Sequence, residues 1–206
     1  MKIQAILFDM DGTLINSVDL HAEAWSRVFA RFGREVSIDE TRALIGKGTD
    51  QFLGDYFPPE ELAGIEIKIN AYRSDIFRRD FLPQVRPFPA VRALSDRIIA
   101  DGKKIALTSS SNRADLQEYK KIAGITDLLD AATSADDAER SKPEPDIFRA
   151  ALDRLGRPDP SRVVAVGDTP YDAIAADHLR EAGCVAFFHE DPADLLAHYD
   201  ESHLAG

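Results

Sequence analysis

The sequence predicts an α/β protein with a Rossmann-like, mostly parallel sheet and an all-helical segment inserted after the first strand. From residue 87 onward, short apolar runs alternate with helical patterns, which is the order of βαβ units. The apolar run 3–8 has the same strand composition, whereas the stretch 17–86 shows helical periodicity and no convincing strand. We therefore expect a core domain made of 1–16 and 87–206, and a helical cap domain made of 17–86.

The first strand is expected at 3–8, which is rich in Ile, Leu and Phe and leads into a glycine turn. Ser17 can cap the helix that follows, and Gly33 can end it. Further helical segments are separated by a capping box at Ser37, a glycine turn and a proline pair, and they cover 37–45, 49–57 and 59–81. The proline-rich stretch 82–89 is predicted to be a stiff, extended linker back to the sheet.

Beyond the linker, helical patterns separate the remaining strand candidates. Strands are expected at 104–108, 128–133 and 162–166, and the helices before them end at Ala100, Gly124 and Leu155. A longer helical pattern then covers 172–182, and it is followed by a strand at 183–188 and by a last helix that opens at Asp191. Because open α/β sheets bind ligands beyond the carboxyl ends of their strands, functional residues are expected at those ends.

Composition and charge exclude several classes of function. The chain has 206 residues and a net charge of −11, with 36 acidic and 25 basic residues. We expect no nucleic acid or anionic membrane as a partner, because either would need a basic face. Cys184 is the single cysteine, which argues against a disulfide framework and a cysteine-based zinc site. With no signal-peptide pattern and no apolar run of membrane-spanning length, a cytoplasmic location is expected.

Asp9 and Asp11 come directly after the first strand, where two neighbouring carboxylates would repel each other and resist burial. A bound divalent cation would relieve both costs, and one carboxylate would then be free to act as a nucleophile. Other strand ends and one loop bring hydroxyls, acids and a lysine to the same rim of the sheet, and these residues are Ser109, Ser110, Ser111, Asn112, Lys142, Asp168 and Asp172.

Four short motifs, in order, resemble those of the haloacid dehalogenase superfamily: Asp9-Met10-Asp11-Gly12-Thr13, then Ser109, then Lys142, then Gly167-Asp168 with Asp172. Over nearly its whole length the chain resembles phosphohydrolases of that superfamily with a helical, C1-type cap, similar to phosphoglycolate phosphatases and β-phosphoglucomutase-like proteins. The resemblance implies a Mg²⁺-dependent phosphatase that acts on small phosphorylated metabolites through an aspartyl-phosphate intermediate. We expect it to be a monomer or a weak homodimer.

The resemblance and the chemistry of the side chains assign the same catalytic roles. Asp9 is expected to be the nucleophile, and Asp11 the acid and base that protonates the leaving alcohol and then activates water. Ser109 is expected to hydrogen-bond a phosphoryl oxygen. Lys142 is expected to neutralise negative charge on Asp9 and on the phosphoryl group.

The remaining expectations concern the metal and the substrate. The metal residues are expected to be Asp9, Asp11 through its backbone carbonyl, Asp168, and Asp172 acting through water or by orienting the others. The expected substrate-binding residues are Gly12, Thr13, Lys47 and Ser110. Lys47 lies in a loop, 46–48, that resembles the substrate-facing loop of the family, but it could also be a solvated turn lysine.

Several of these residues have plainer alternatives. Ser109 could be only the N-cap of the next helix, with Thr108 as the motif residue, and Asp172 could simply begin a helix and favour its dipole. His21 at the cap entrance could assist leaving-group chemistry or be only a partly buried helix residue. Arg73 is a weaker candidate in the same region.

Comparison between subfamilies favours a phosphatase. Dehalogenases and phosphonate-cleaving relatives lack an aspartate at the position of Asp11, so its presence favours phosphate-ester chemistry. Similar sugar-phosphate mutases often have Glu-Asp in place of Gly167-Asp168 and an arginine in place of Thr49, although 141–148 is mutase-like. The alternatives are a β-phosphoglucomutase-like phosphosugar mutase and a catalytically weak binding or regulatory protein of this fold.

The C-terminal region departs from the pattern of these relatives. It is expected to be shortened by about one strand and its connection. The sheet would then either lose an edge strand or use its last strand in the place of the missing one.

Overall fold

The computed structural model describes residues 2–178, 185–188 and 191–206, and it has a mixed α/β fold. Its strands are β1 (Ala5–Phe8), β2 (Ile15–Asn16), β3 (Arg86–Pro87), β4 (Lys104–Thr108), β5 (Ala131–Thr133), β6 (Val163–Gly167) and β7 (Val185–Phe188). Among the described residues, five strands form a parallel sheet in the order β5-β4-β1-β6-β7. The predicted parallel α/β core is confirmed.

Helices cover both faces of this sheet. They are α1 (Val18–Arg31), α2 (Ile38–Arg42), α3 (Thr49–Tyr56), α4 (Pro59–Ile76), α5 (Val91–Ala100), α6 (Arg113–Ala123), α7 (Asp146–Arg154), α8 (Pro170–Asp177) and α9 (Pro192–Ala197). In the described part of the chain, none of the helices combines the length and the apolar character needed to cross a bilayer.

The strand β1 is central because both of its faces are apolar. All four of its residues are buried, and it pairs with β4 on one side and with β6 on the other. Ile6 and Phe8 enter the larger hydrophobic core together with residues of α5, α6 and α9, whereas Ala5 and Leu7 enter a second core beneath α7 and α8. A strand covered on both faces has no solvent-facing side, which explains its continuous apolar sequence.

The predicted strand 128–133 is too long. Thr126–Leu128 forms a 3₁₀ turn, closed by Leu128 N donating to the carbonyl of Ile125 at 2.9 Å, and only Ala131–Thr133 is strand. Asp130 lies between them, and its carboxylate accepts a hydrogen bond from Ile105 N at 3.0 Å. The strand therefore begins only after this side-chain contact with β4.

The helices of residues 17–86, which we call the cap helices, lie between β2 and β3. These two strands pair antiparallel, with Ile15 opposite Pro87. The predicted capping box at Ser37 is confirmed, since Ser37 Oγ accepts from Glu40 N and the Glu40 carboxylate accepts from Ser37 N. We propose the β2–β3 pair as the boundary between cap and core.

The end of the cap helices differs from the prediction. The helix expected to continue to residue 81 is α-helical only to Ile76, and Phe77–Phe81 forms a π-helical turn. The linker expected to be extended begins with a 3₁₀ turn, Leu82–Gln84, because Val85 N donates to the carbonyl of Leu82 at 3.2 Å. The backbone becomes extended at Val85, directly before the residues that pair with β2.

At the C-terminus, β7 pairs in parallel with β6, so the last strand takes the place beside β6. The helix predicted over 172–182 corresponds to α8 as far as Asp177, and residues 179–184, including Cys184, lie outside the described residues. The final residues return to the sheet, where Ile3 N donates to the carbonyl of Gly206 at 2.5 Å.

Candidate active site

A cavity of about 270 Å³ lies where the carboxyl ends of β1 and β4 face the cap helices. Its core side is lined by Asp9, Asp11, Ser110, Ser111, Asn112 and Ala135. Its cap side is lined by His21, Trp25, Ile45, Gly46, Lys47, Thr49, Phe52, Asn70, Arg73 and Ser74. The strand ends therefore supply one wall of the cavity, and the cap helices supply the other.

Lys142 connects Asp9 to the loop that follows β6. Its side chain is fully buried, and its ammonium lies 2.5 Å from Asp9 Oδ1 and 2.6 Å from Asp172 Oδ1. Burial lowers the pKa of Lys142, but the carboxylates of Asp172 and Asp9 outweigh it and raise that pKa above its ordinary value. The ammonium therefore stays charged beside Asp9.

Asp172 lies in the first turn of α8, as one of its two alternatives predicts, and it also contacts Lys142. Its Oδ2 accepts from Thr169 Oγ1 at 2.6 Å, in a capping box that begins α8, while its Oδ1 contacts Lys142. The residue both begins a helix and holds the lysine. A Cβ on Gly167 would overlap the Asp172 side chain, so this approach of backbone to carboxylate needs glycine.

Three carboxylates converge next to Lys142. Oxygens of Asp9, Asp168 and Asp172 all lie within 4.8 Å of one another. Burial and the neighbouring carboxylates outweigh Lys142 and raise the pKa of Asp9 well above its ordinary value, and burial raises the pKa of Asp168 to about 6. Among the described residues no donor reaches Asp9 Oδ2, although this oxygen is buried. Concentrated negative charge and an unpartnered oxygen fit a divalent cation.

Gly12 and Thr13 support Asp168. Gly12 has a φ of +84°, in the left-handed region, and a Cβ there would overlap the Asp168 carboxylate. Thr13 Oγ1 donates to Asp168 Oδ1 at 3.2 Å. Neither residue is among those that line the cavity, so the structure places them beside a candidate metal ligand.

The side chain of Asp11 faces away from the other carboxylates. Its Oδ1 accepts from Ser17 Oγ at 2.6 Å and lies 2.9 Å from His21 Nε2, and its Oδ2 accepts from Ser111 Oγ at 3.1 Å. Burial raises the pKa of Asp11, but His21 and the hydroxyl of Ser17 outweigh it and lower the pKa to about 2. In the substrate-free protein, Asp11 is therefore a carboxylate held by three neighbours.

Ser17 begins α1, as predicted, but not through its side chain. Its hydroxyl accepts no capping hydrogen bond from the helix, and it donates to Asp11. The prediction that the Ser17 side chain caps this helix is wrong, and the residue belongs to the site instead.

The three serines after β4 have different surroundings. Ser109 is fully buried, and its Oγ accepts from Ser111 N at 3.1 Å. Ser110 Oγ donates to the carbonyl of Gly46 in the cap at 3.2 Å, and Ser111 Oγ reaches Asp11. The loop therefore contacts both the cap and Asp11.

The plainer alternative for Ser109 is wrong. The N-cap of α6 is Asn112, whose side chain accepts from Asp115 N at 2.9 Å. Thr108 is also occupied, since its hydroxyl donates within the sheet to the carbonyl of Phe8 at 3.3 Å. The hydroxyl of Ser109 therefore serves neither as a helix cap nor as a strand contact, and it accepts only from Ser111 N within the described residues.

The cap loop that contains Lys47 is hydrogen-bonded to the loop that contains Ser141 and Lys142. Gly48 N donates to the carbonyl of Lys142 at 3.2 Å, and the carboxylate of Asp50 accepts from Ser141 N at 3.2 Å. A Cβ on Gly48 would overlap the Ser141 side chain. Lys47 lines the cavity, and its ammonium lies 3.3 Å from the exposed carboxylate of Asp55.

His21 is a buried residue of α1, and its ring also contacts Asp11. Its Nδ1 lies 2.9 Å from Arg73 Nη2, and its ring stacks on Phe77 with the ring centroids 4.0 Å apart. Arg73 in turn donates to Asp115 on α6 at 3.0 Å.

Sequence reasoning placed Ser111 at the rim of the sheet but did not predict its contact with Asp11, and it missed Asp115. Ser111 had a signal, as the third hydroxyl of a strand-end run. Asp115 had none, because an acid in the first turn of a helix is ordinary.

The chain is similar to named proteins over most of its own length. It is 36% identical over 194 residues, 90% of this chain, to Protein SUPPRESSOR OF QUENCHING 1, chloroplastic, of Arabidopsis thaliana, but it spans only 18% of that protein. It is 27% identical to validoxylamine A 7′-phosphate phosphatase of Streptomyces hygroscopicus subsp. limoneus, and the match covers 94% of this chain and 90% of that one. The crystal structure of a hydrolase from Pseudomonas syringae shares the fold, with a TM-score of 0.78, 23% identity, and coverage of 96% and 98%.

Residues 3–179 match the family described as haloacid dehalogenase-like hydrolase. The matched range is most of the chain. It contains β1, the three serines after β4, the loop around Lys142 and the loop after β6. The resemblance seen in the four motifs is confirmed, and the chain belongs to the haloacid dehalogenase-like hydrolase family.

Proposed function

We propose that this chain is a Mg²⁺-dependent phosphatase that hydrolyses monoesters of small phosphorylated metabolites, with Asp9 as nucleophile and Asp11 as acid and base. One observation carries the proposal. Two carboxylates that are two residues apart have opposite surroundings: Asp9 lies against Lys142 and two further carboxylates, and Asp11 lies against hydroxyls and an imidazole. Such a division supports two different roles for one pair.

In the first half of the reaction, a carboxylate oxygen of Asp9 attacks phosphorus, and the bond between phosphorus and the leaving oxygen breaks. Asp11, protonated at this stage, gives its proton to the leaving oxygen, so a neutral alcohol departs. The bound phosphoryl dianion favours this protonated form, because it adds negative charge near Asp11.

In the second half, Asp11 takes a proton from water as the water oxygen attacks phosphorus. The bond between Asp9 and phosphorus breaks, and inorganic phosphate and the free Asp9 carboxylate are formed. Asp11 is again protonated, so the cycle closes.

The positive charge needed beside the phosphoryl group has two sources. Asp9, Asp168 and Asp172 would hold Mg²⁺, which supplies charge stabilisation for phosphoryl oxygens when bound. Lys142 supplies a fixed second charge on Asp9. The buried, unpartnered Asp9 Oδ2 supports this ligand set.

We expect Mg²⁺ to raise the thermal unfolding midpoint more at about pH 7 than at about pH 5. In the metal-free protein the pKa of Asp168 is raised from 3.8 to about 6, so its protonated form stabilises the fold at low pH, and this contribution is lost as the pH rises through about 6. Over the same pH range the fraction of Asp168 that is deprotonated, and can therefore bind metal, increases. Thermal unfolding with and without Mg²⁺ measures both effects.

The matched control is Asp168→Asn, which keeps the shape of the side chain and should lose most of the Mg²⁺ response. A midpoint shift of equal size at both pH values, or an undiminished shift in Asp168→Asn, would contradict the assigned metal site.

The covalent step is tested with Asp11→Asn and p-nitrophenyl phosphate. Nitrophenolate leaves without a proton, so Asp9 should still be phosphorylated, but water then lacks its base. We expect a burst of about one nitrophenolate per enzyme, followed by slow release. Mass spectrometry of the acid-quenched protein should place the phosphoryl group on Asp9, and a linear release with no phosphorylated protein would contradict the mechanism.

Assays of the wild-type enzyme separate the rival functions. A panel of sugar phosphates, phosphoglycolate and nucleotide monophosphates, ranked by kcat/KM for release of inorganic phosphate, would identify the substrate class of a phosphatase. An isomeric sugar phosphate formed without inorganic phosphate would instead assign the chain to the phosphosugar mutases. Substrate binding without turnover would assign it a binding or regulatory role.

A further inference from the structure

We propose that Asp115 is a positioning residue for Asp11, acting through Arg73 and His21, and that this chain of contacts confines proton transfer to one oxygen of Asp11. The inference rests on the proposed function, because it concerns the proton that Asp11 gives to the leaving group. It adds a residue of α6 that touches neither substrate nor the reacting atoms.

Asp115 anchors two arginines of the cap. Its buried carboxylate accepts from Arg73 Nη1 at 3.0 Å on one oxygen, and from Arg78 Nε and Nη2 at 3.0 and 2.8 Å on the other. Asn112 Nδ2 adds a further hydrogen bond at 2.8 Å. Because Arg73 is itself largely buried, this ion pair fixes where its guanidinium points.

Arg73 decides which nitrogen of His21 carries the proton. A guanidinium has only donors, so Arg73 Nη2, at 2.9 Å, must donate to His21 Nδ1, and Nδ1 must be unprotonated. The proton of a neutral ring then sits on Nε2, which lies 2.9 Å from Asp11 Oδ1 and donates to it.

The two oxygens of Asp11 consequently differ. Oδ1 accepts from both His21 Nε2 and Ser17 Oγ, so it has little capacity to carry a proton. Oδ2 is within reach of the Ser111 hydroxyl at 3.1 Å, and a hydroxyl can accept as well as donate. The transferred proton is therefore bound to Oδ2. Its bond to Oδ2 breaks as its bond to the leaving oxygen forms, and Asp11 is left as a carboxylate.

A purely structural role for Asp115 predicts something different. An acid in the first turn of α6 that also pairs with two cap arginines stabilises the fold, and its loss would lower turnover of every substrate alike. Loss of positioning would lower only reactions that need a proton from Asp11. Leaving-group chemistry therefore separates the two roles.

The test is Asp115→Asn, with kcat/KM measured for an alkyl phosphate and for p-nitrophenyl phosphate. We expect kcat/KM for the alkyl phosphate to fall about tenfold and that for p-nitrophenyl phosphate to change by less than about twofold, because kcat/KM reports the first half-reaction. Arg78→Gln is the control: it removes the other ion pair of Asp115, but Arg78 does not line the cavity, so both substrates should respond alike.

Equal falls for both substrates in Asp115→Asn would overturn the inference while leaving the proposed function intact. Failure of the proposed function has another signature, namely no phosphatase activity in the wild type or full activity in Asp9→Asn. The two failures are therefore distinguishable.

A second measurement does not depend on activity. In the full chain labelled with ¹⁵N-histidine, His21 should show an unprotonated Nδ1 and a protonated Nε2 at neutral pH, and its signals can be assigned among the five histidines with His21→Gln. Asp115→Asn should increase the fraction protonated at Nδ1. A wild-type ring protonated at Nδ1 would overturn the inference.

Discussion

Replacing Asp9 with asparagine will lower phosphate release by at least about 10⁴-fold, because an amide cannot form the bond to phosphorus that starts the reaction. The fold should survive the change. The pKa of Asp9 is already raised by burial and by the neighbouring carboxylates, so a neutral group of the same size suits the metal-free site. Release of inorganic phosphate and the thermal unfolding midpoint, measured on the same samples, check both parts.

The matched control for Asp9→Asn is Asp96→Asn, the same substitution at an exposed position on α5. It should leave phosphate release and the midpoint close to wild type. Wild-type activity in Asp9→Asn would refute a covalent mechanism. A large fall in its midpoint would attribute the lost activity to unfolding instead.

Lys142→Met will lower the free energy of unfolding by about 3–5 kcal/mol, which is the typical cost of removing one partner from a buried charge cluster. The fully buried ammonium lies 2.5 Å from Asp9 and 2.6 Å from Asp172. Without it, the carboxylate of Asp172, and that of Asp9 wherever it is ionised, would lose its positive partner. Methionine keeps much of the volume, so the loss reports charge more than packing. Urea unfolding of the metal-free protein measures it.

This loss should become smaller as the pH falls, because the pKa of Asp9 is raised by burial and a protonated Asp9 needs no ammonium beside it. Lys121→Met is the control, since Lys121 pairs with Glu118 on the exposed side of α6. It should cost less than about 1 kcal/mol. A similarly small cost for Lys142→Met would show that the buried cluster is not held together by this lysine.

The strands of the core could be predicted because each is a short apolar run with polar residues at its end. Lys104–Thr108 has the predicted bounds, and β1 lies within its predicted run. The first residue of β5 could not be predicted, because the apolar residues Leu128 and Leu129 before it have the composition of a strand. A hydrogen bond between Asp130 and a residue 25 positions earlier limits it, and no local pattern reveals such a bond.

The candidate site could be predicted where the residue type limits the chemistry. Two acids at a strand end and a lysine followed by proline have few structural uses, so Asp9, Asp11 and Lys142 stand out in the sequence. Hydroxyls are different, because serine serves equally well as cap, donor or acceptor. The sequence could not show that the hydroxyl of Ser17 donates to Asp11, because this contact depends on a distance of 2.6 Å that only the folded chain defines.

The two walls of the cavity suggest how such an enzyme can acquire a new substrate without losing its chemistry. The reacting groups stand on strand ends, whereas Thr49, Asn70 and Ser74 stand on cap helices and face the same space from the other side. Changes at these three positions alter the shape offered to a leaving group but leave Asp9, the proposed nucleophile, and Lys142 in place. Selection for a different metabolite, in nature or in a variant library, can therefore act on these positions, whereas His21 on α1 and Arg73 on α4 are constrained by their contacts with Asp11 and Asp115.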